Sequence, residues 1–214
     1  MDNLEPIAER IRQSFDSRNS AREKALSQAR TLTKHCANAI RAIHRNERDL
    51  AIENIEQAAA LINTLKSDLV GYPDLYHTGY TQDALKEYAE ATIVFALTDN
   101  GSLPTPEDLG LEYATYLKGL AEAVGELRRR CLDILRHGHS QEAERLLTHM
   151  DDIYAVLITM DYPEAITGGL RHWTDVARGL IERTRGDITL SLRQQNLENN
   201  LRRLENKLEG GEKE

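Results

Sequence analysis

Apolar residues recur along almost the whole chain in steps of three, four and seven, the spacing of one helical face. In the first long segment, about residues 4–44, they fall at Leu4, Ile7, Ile11 and Phe15, then at Ala25, Ala29, Leu32, Cys36, Ile40 and Ile43. Ser17 or Ser20 offers a cap inside this run, so the pattern predicts one helix or two. The polar run Arg45-Asn46-Glu47-Arg48 interrupts it only weakly. A second helix is expected from Glu47 to Val70, with Leu50, Ile55, Leu61, Ile62, Leu65 and Leu69 on one face and Gly71-Tyr72-Pro73 at its end. Residues 71–80 carry three tyrosines, a histidine, two glycines and a proline, the composition of an ordered loop. Thr81 or Asp83 then caps a third helix that reaches Leu97. Asn100-Gly101, Pro104 and Pro106 break the chain again. A fourth helix is predicted from Leu111 to Arg136, stopping at Gly138, and Ser140 opens a fifth that ends near Met160, with Glu142 and Glu144 suited to the dipole of its first turn.

After the turn Asp161-Tyr162-Pro163, one long helix is expected from Glu164 to Leu208. Its end shows Leu190, Leu197, Leu201, Leu204 and Leu208 in steps of seven, four, three and four, an a/d seam that suits a partner helix or, alternatively, packing on the same subunit. Six or seven helices and no strand result. The expected fold is an all-α bundle with long first and last helices, a single domain over residues 1–209 and a frayed tail at 210–214.

Composition narrows what such a protein does. The 214 residues are 40% hydrophobic and 29% charged, with aromatics at only 5%, which excludes a disordered chain and argues against a β sandwich. The net charge of −8 excludes coating of nucleic acid by bulk positive charge and leaves room for a local basic surface or a metal-binding set of carboxylates. Cys36 and Cys131 form no CxxC pair, and each sits in an apolar helical pattern, so both are expected to be buried thiols. No apolar run is long enough to span a membrane, and the charged start from Met1 to Phe15 lacks the apolar core of a signal peptide, so the cytoplasm is the expected address.

Three acidic groups stand out. Glu87 and Glu90 lie three apart on a helix that continues into Ala91, Ile93, Val94, Phe95 and Ala96. Carboxylates on so apolar a helix are costly unless a cation sits between them, although a solvated acidic face is the simpler reading of an ExxE pair. Glu122 and Glu126 lie four apart on the fourth helix, among Gly119, Ala121, Ala123 and Gly125, small residues that let another helix come close. Asp151-Asp152 lies on the fifth. Carboxylates brought from three helices suit Mg2+ or Mn2+, which can activate water and stabilise a phosphoryl transition state. The ExxH pairs of di-iron bundles are missing. Basic residues cluster at Arg41, Arg45 and Arg48, at Arg128-Arg129-Arg130, and at Arg171, Arg178, Arg183 and Arg185. These are solvated helix faces or, alternatively, phosphate contacts through guanidinium forks. The tyrosines of 72–80 either stack on unpaired bases or pack between helices. Nucleotide-binding glycine loops and the GxSxG elbow are absent from the sequence. His137 and His139, on either side of Gly138, read as a helix-end cap, and Trp173 as a core or interface anchor.

Taken together, the order of helices, Leu85-Lys86-Glu87-Tyr88-Ala89-Glu90-Ala91, the run from Tyr116-Leu117-Lys118-Gly119-Leu120 to Gly125-Glu126-Leu127, and Asp161-Tyr162-Pro163-Glu164-Ala165-Ile166-Thr167-Gly168-Gly169-Leu170 resemble the translin/Trax family, over about residues 20–192. The resemblance implies a seven-helix α fold, assembly into shell-like homo-oligomers, commonly octamers, and binding of single-stranded RNA, with single-stranded DNA as a second ligand. Glu87 and Glu90 match the position where Trax-like chains carry catalytic glutamates, which places the sequence nearer the nuclease branch. Glu122 matches a further acidic position, with Glu126 four residues on. A fourth acidic position aligns near Tyr154 and Ala155, one turn from Asp151 and Asp152, of which Asp152 is the first choice. The reading implied is a Mg2+-dependent (or Mn2+-dependent) endoribonuclease with Glu87, Glu90, Glu122 and Asp152 as catalytic carboxylates, Glu126 beside them as a metal ligand, and Arg41, Arg45, Arg128, Arg129 and Arg130 on the nucleic acid. The alternatives are a translin-like binding protein without chemistry and a helical assembly protein.

Overall fold

The computed structural model describes residues 3–138 and 140–211. Among them are six long helices and three single turns of helix, and no strand, so the chain is all-α as its periodicity predicts. It divides into two compact units, Met1–Leu120 and Ala121–Glu214, the division falling inside one unbroken helix.

In the first unit, α1 (Leu4–His44) packs against α2 (Arg48–Asp68) and α4 (Gly79–Thr98). α1 is one helix, with no start at Ser17 or Ser20. Only its second half is lined by core residues: Ala25, Ala29, Leu32, Cys36, Ala39, Ile40 and Ile43 are buried, while Phe15 remains 66% exposed. Fully burying a leucine such as Leu32, Leu65 or Leu85 contributes about 1.5–3 kcal/mol. The weak polar break at Arg45–Arg48 is a sharp turn in the structure. Asn46 takes φ +59, a left-handed conformation that asparagine tolerates, and the Glu47 amide returns to the Ala42 carbonyl at 2.9 Å.

The segment expected as a loop at 71–80 contains a further turn of helix, α3 (Pro73–Tyr76), with Pro73 at its first position, and α4 begins at Gly79, two residues before Thr81. The Thr81 hydroxyl instead donates to the Leu75 carbonyl at 3.0 Å. Tyr72, Tyr76 and Tyr80 pack against a buried cluster of Ala25, Leu65, Leu69 and Leu75, so these rings serve helix packing. α5 (Pro106–Leu109) is one turn held by a capping box between Thr105 and Asp108. α6 (Tyr113–Leu135) leaves this unit through its middle.

In the second unit, α6 continues, and α7 (Ser140–Leu157) packs against α9 (Leu170–Gly211). The buried positions of α9 are Leu170, Ala177, Ile181, Thr184 and Ile188, again at helical spacing. The expected helix from Glu164 is interrupted. α8 (Glu164–Thr167) is a single turn, and Gly168 and Gly169, at φ +59 and +86, end it before α9 starts. Both are left-handed conformations that a side chain would strain. Beyond Ile188 the apolar stripe lies open: Leu197 is 59% and Leu208 72% exposed. Gly210 and Gly211 continue α9; the rest of the tail expected to fray, 212–214, lies outside the described residues, as does His139.

Gly119 lies where the α6 backbone comes close to α4. A Cβ there would stand 2.6 Å from the Ala89 Cβ, 2.8 Å from the Lys86 carbonyl and 3.0 Å from the Glu90 amide. Gly119→Ala is expected to destabilise the protein by about 1–3 kcal/mol in chemical denaturation. Gly125→Ala, where the new Cβ meets only Leu180 Cδ1 at 3.8 Å, should be neutral or slightly stabilising. Equal effects at the two positions would contradict the packing described.

Candidate metal centre

Residues 83–90 present Asp83, Glu87 and Glu90 at successive turns of α4. The helix is apolar because it is central to its unit: Ala84, Leu85, Tyr88, Ala89, Ala91, Ile93 and Val94 are all buried. Glu90 belongs to this buried set, at 8% exposure, whereas Glu87 is half-buried. Gly119 brings the α6 backbone onto α4 at Lys86–Glu90, and Glu122 follows one helical turn later. One carboxylate oxygen from each of Glu87, Glu90 and Glu122 lies within 4.8 Å of the other two.

Three carboxylates this close repel one another, and the repulsion is least screened at buried Glu90. The Lys86 ammonium, itself largely buried, stands 3.4 Å from Glu87 and offsets part of it. Cys36, on α1, faces the same charges. Burial first, and then Glu87 and Glu90, push its thiol far above the ordinary range, so it is a neutral group. The donor set is therefore all oxygen, the set preferred by small divalent ions such as Mg2+ and Mn2+ rather than thiophilic metals.

Glu126 and Asp152 are not members of this group. Glu126 is half-buried and faces Arg129 at 3.8 Å. Asp152 is exposed on α7, and its neighbour Asp151 accepts two hydrogen bonds from Arg185, at 2.7 and 2.9 Å. The arginines divide in a similar way. Arg128 is half-buried, donating to Thr184 at 2.9 Å and paired with Asp187 at 2.8 Å, so it ties α6 to α9. Arg130 is half-buried, Arg129 and Arg45 are exposed, and exposed Arg41 donates to Asn38. Sequence reasoning missed Lys86 and Cys36 as neighbours of the carboxylates. The ExxE motif gave Lys86 away by adjacency, but nothing in the spacing linked it to Cys36.

No protein-family model matches the chain. The uncharacterized protein MJ0175 of Methanocaldococcus jannaschii is 30% identical over 191 residues, covering 88% of this chain and 84% of that protein. The crystal structure of AfC3PO, a translin/Trax-type protein, is similar at 33% identity with a TM-score of 0.81, covering 87% of this chain and 97% of AfC3PO. This chain belongs to the translin/Trax family. The structure of AfC3PO in complex with duplex RNA gives the same values, and apo-NeC3PO, at 20% identity and a TM-score of 0.79, shares the fold. Among the described residues no helix is long and apolar enough to cross a membrane.

Both cysteines are buried and free, as their positions in the sequence predict. Burial raises Cys131 to about 12 and Cys36 further still, so neither forms a nucleophilic thiolate at pH 8. Folded protein is expected to leave a thiol reagent unreacted at that pH and to release two reactive thiols on denaturation. A thiol that reacts at a free-cysteine rate in the folded protein would show that the packing around α1 or α6 is looser than described.

Proposed function

We propose that this chain is the subunit of a homo-oligomeric, divalent-metal-dependent endoribonuclease that binds RNA, with single-stranded RNA as its substrate. The convergence of Glu87, Glu90 and Glu122 around buried Glu90 carries the reading. The likeness to AfC3PO, a protein known in complex with duplex RNA, supports RNA as the ligand. The three glutamates would hold the ion; Glu126 and Asp152, outside the group, are weaker candidates for ligands.

Mg2+ or Mn2+, when bound, would supply Lewis-acid stabilisation of phosphoryl oxygens and a bound water of lowered pKa. The chain's own residues set the conditions for that chemistry. Packing of α4 fixes Glu90, and the low local dielectric strengthens its attraction for a cation. Lys86 orients Glu87 through their 3.4 Å contact. Arg41, in the last turn of α1, and Arg45, just after it, are exposed and would contact phosphate, while Arg128 has its guanidinium committed to Asp187 and Thr184 and Arg129 faces Glu126. A negative overall charge is compatible with this, because steering by a local basic surface does not need a basic protein.

Glu87→Gln and Glu90→Gln are each expected to weaken Mn2+ binding more than about tenfold and to abolish metal-dependent cleavage of a labelled single-stranded RNA, while RNA binding in EDTA persists. Cleavage by the double variant at the parental rate would refute the site. Binding without cleavage in the parent would place the chain with non-catalytic RNA-binding proteins. The open leucine stripe of α9 has its use in assembly: truncation after Asn196 should lower the mass of the oligomer by more than the residues removed, measured by light scattering. An unchanged subunit number would show that the stripe is not a main assembly contact.

A further inference from the structure

A hollow of about 410 Å3 lies between α1 and α4, lined by Leu26, Ala29, Arg30 and Thr33 on one side and Tyr80, Asp83, Ala84 and Glu87 on the other. Each wall is a single helical face with residues at i, i+3, i+4 and i+7. Ala29 and Ala84 explain the hollow, because both walls carry only a methyl group where larger side chains would have met. Along α1 the same face leads from Leu26 through Thr33 towards Cys36, and along α4 from Tyr80 through Glu87 to Glu90. The α4 wall therefore runs into the carboxylate group. Glu87 belongs to both the hollow and that group.

We infer that the hollow between α1 and α4 is a nucleotide subsite, which takes the base and ribose of one RNA residue next to the carboxylates while Arg30 takes its phosphate. The inference rests on the RNA-cleaving reading above and names where the substrate lies. The chemistry of the lining fits such a ligand. Leu26, Ala29 and Ala84 offer apolar surface to a base. Behind this lining the Tyr80 hydroxyl is buried with no hydrogen-bond partner among the described residues. Asp83 accepts from base N–H or ribose O–H groups, and Thr33 can donate or accept. Arg30 is exposed and makes no ion pair among the described residues, so its fork is available to a phosphate. With Asp83 and Glu87 on the opposite wall, the hollow has one place for an anion, at Arg30, which suits one nucleotide rather than a free polyphosphate.

The test uses the full chain and a labelled single-stranded oligoribonucleotide, with binding followed by fluorescence anisotropy in EDTA and Mn2+ affinity measured separately by calorimetry. Arg30→Ala and Thr33→Trp, the second filling the hollow with an indole, are each expected to weaken RNA binding about tenfold and to leave Mn2+ affinity unchanged. Glu90→Gln should do the reverse. RNA binding at the parental level in both folded hollow variants, with Mn2+ affinity retained, overturns the subsite and leaves the metal centre standing. A parent that binds no RNA in EDTA overturns both. A change of oligomer mass in Thr33→Trp without a change in RNA affinity would assign the hollow to a subunit contact and also overturn the proposal. Should Thr33→Trp fail to fold, Arg30→Ala decides, because Arg30 is an exposed residue whose loss leaves the core intact.

Discussion

The absence of a side chain at Gly119 is the constraint on which the candidate centre depends. A single methyl group there would come within 2.6 Å of Ala89 and 2.8 Å of a backbone carbonyl, so α6 can lie on α4 only as glycine against alanine. That approach fixes the register between the two helices. With the register fixed, Glu122, one turn further along α6, comes next to Glu87 and Glu90. A larger residue would push the helices apart and take Glu122 away from the α4 pair. The close approach of α6 to α4 and the mutual repulsion of the carboxylates therefore occupy neighbouring turns.

The charges around this point are arranged with economy. The protein is acidic as a whole, yet half-buried Glu87 lies beside a largely buried lysine, and the thiol that faces the same charges stays neutral. Several arginines that resemble phosphate contacts in sequence have structural tasks. Arg128 pairs with Asp187 across α6 and α9, and Arg185 with Asp151 across α9 and α7. Arg48 pairs with Asp99 and lies 5.7 Å from the centre of the Phe95 ring. A guanidinium held by a carboxylate within its own unit is lost to the phosphate of a ligand. Counting arginines on helix faces thus overstated the basic surface, and exposure without a side-chain partner among the described residues, as at Arg30 and Arg45, is the better guide.

Most of the helices were legible because their buried faces repeat at helical spacing, and no other element competes for that pattern. The misreadings share a cause. Thr78, the extended residue that precedes α4, and the Gly168–Gly169 pair each decide a boundary through one or two backbone conformations, a signal easily masked by the periodic pattern on both sides. The helix expected from Glu164 is therefore broken at Gly168, and the loop expected at 71–80 holds a turn of helix begun by Pro73. The tyrosines of that segment could not be assigned from sequence, because an amphipathic ring suits a base and a helix interface equally; the buried cluster around Leu69 and Leu75 settles it for packing.

By itself the sequence determined the all-α class, the six long helices, the burial of both cysteines and the pairing of Glu87 with Glu90, since all of these follow from spacing along one chain. It also singled out Glu122 and the small residues around Gly119. Only the tertiary structure decided which acidic side chains meet. Glu122 joins the α4 pair and Glu126, one turn away on the same helix, does not, because membership depends on the register of α6 against α4, and register is fixed by contacts between residues distant in sequence. The hollow between α1 and α4 has the same origin. Two alanines 55 positions apart are unremarkable in a sequence, and become a space only when two helices bring them face to face.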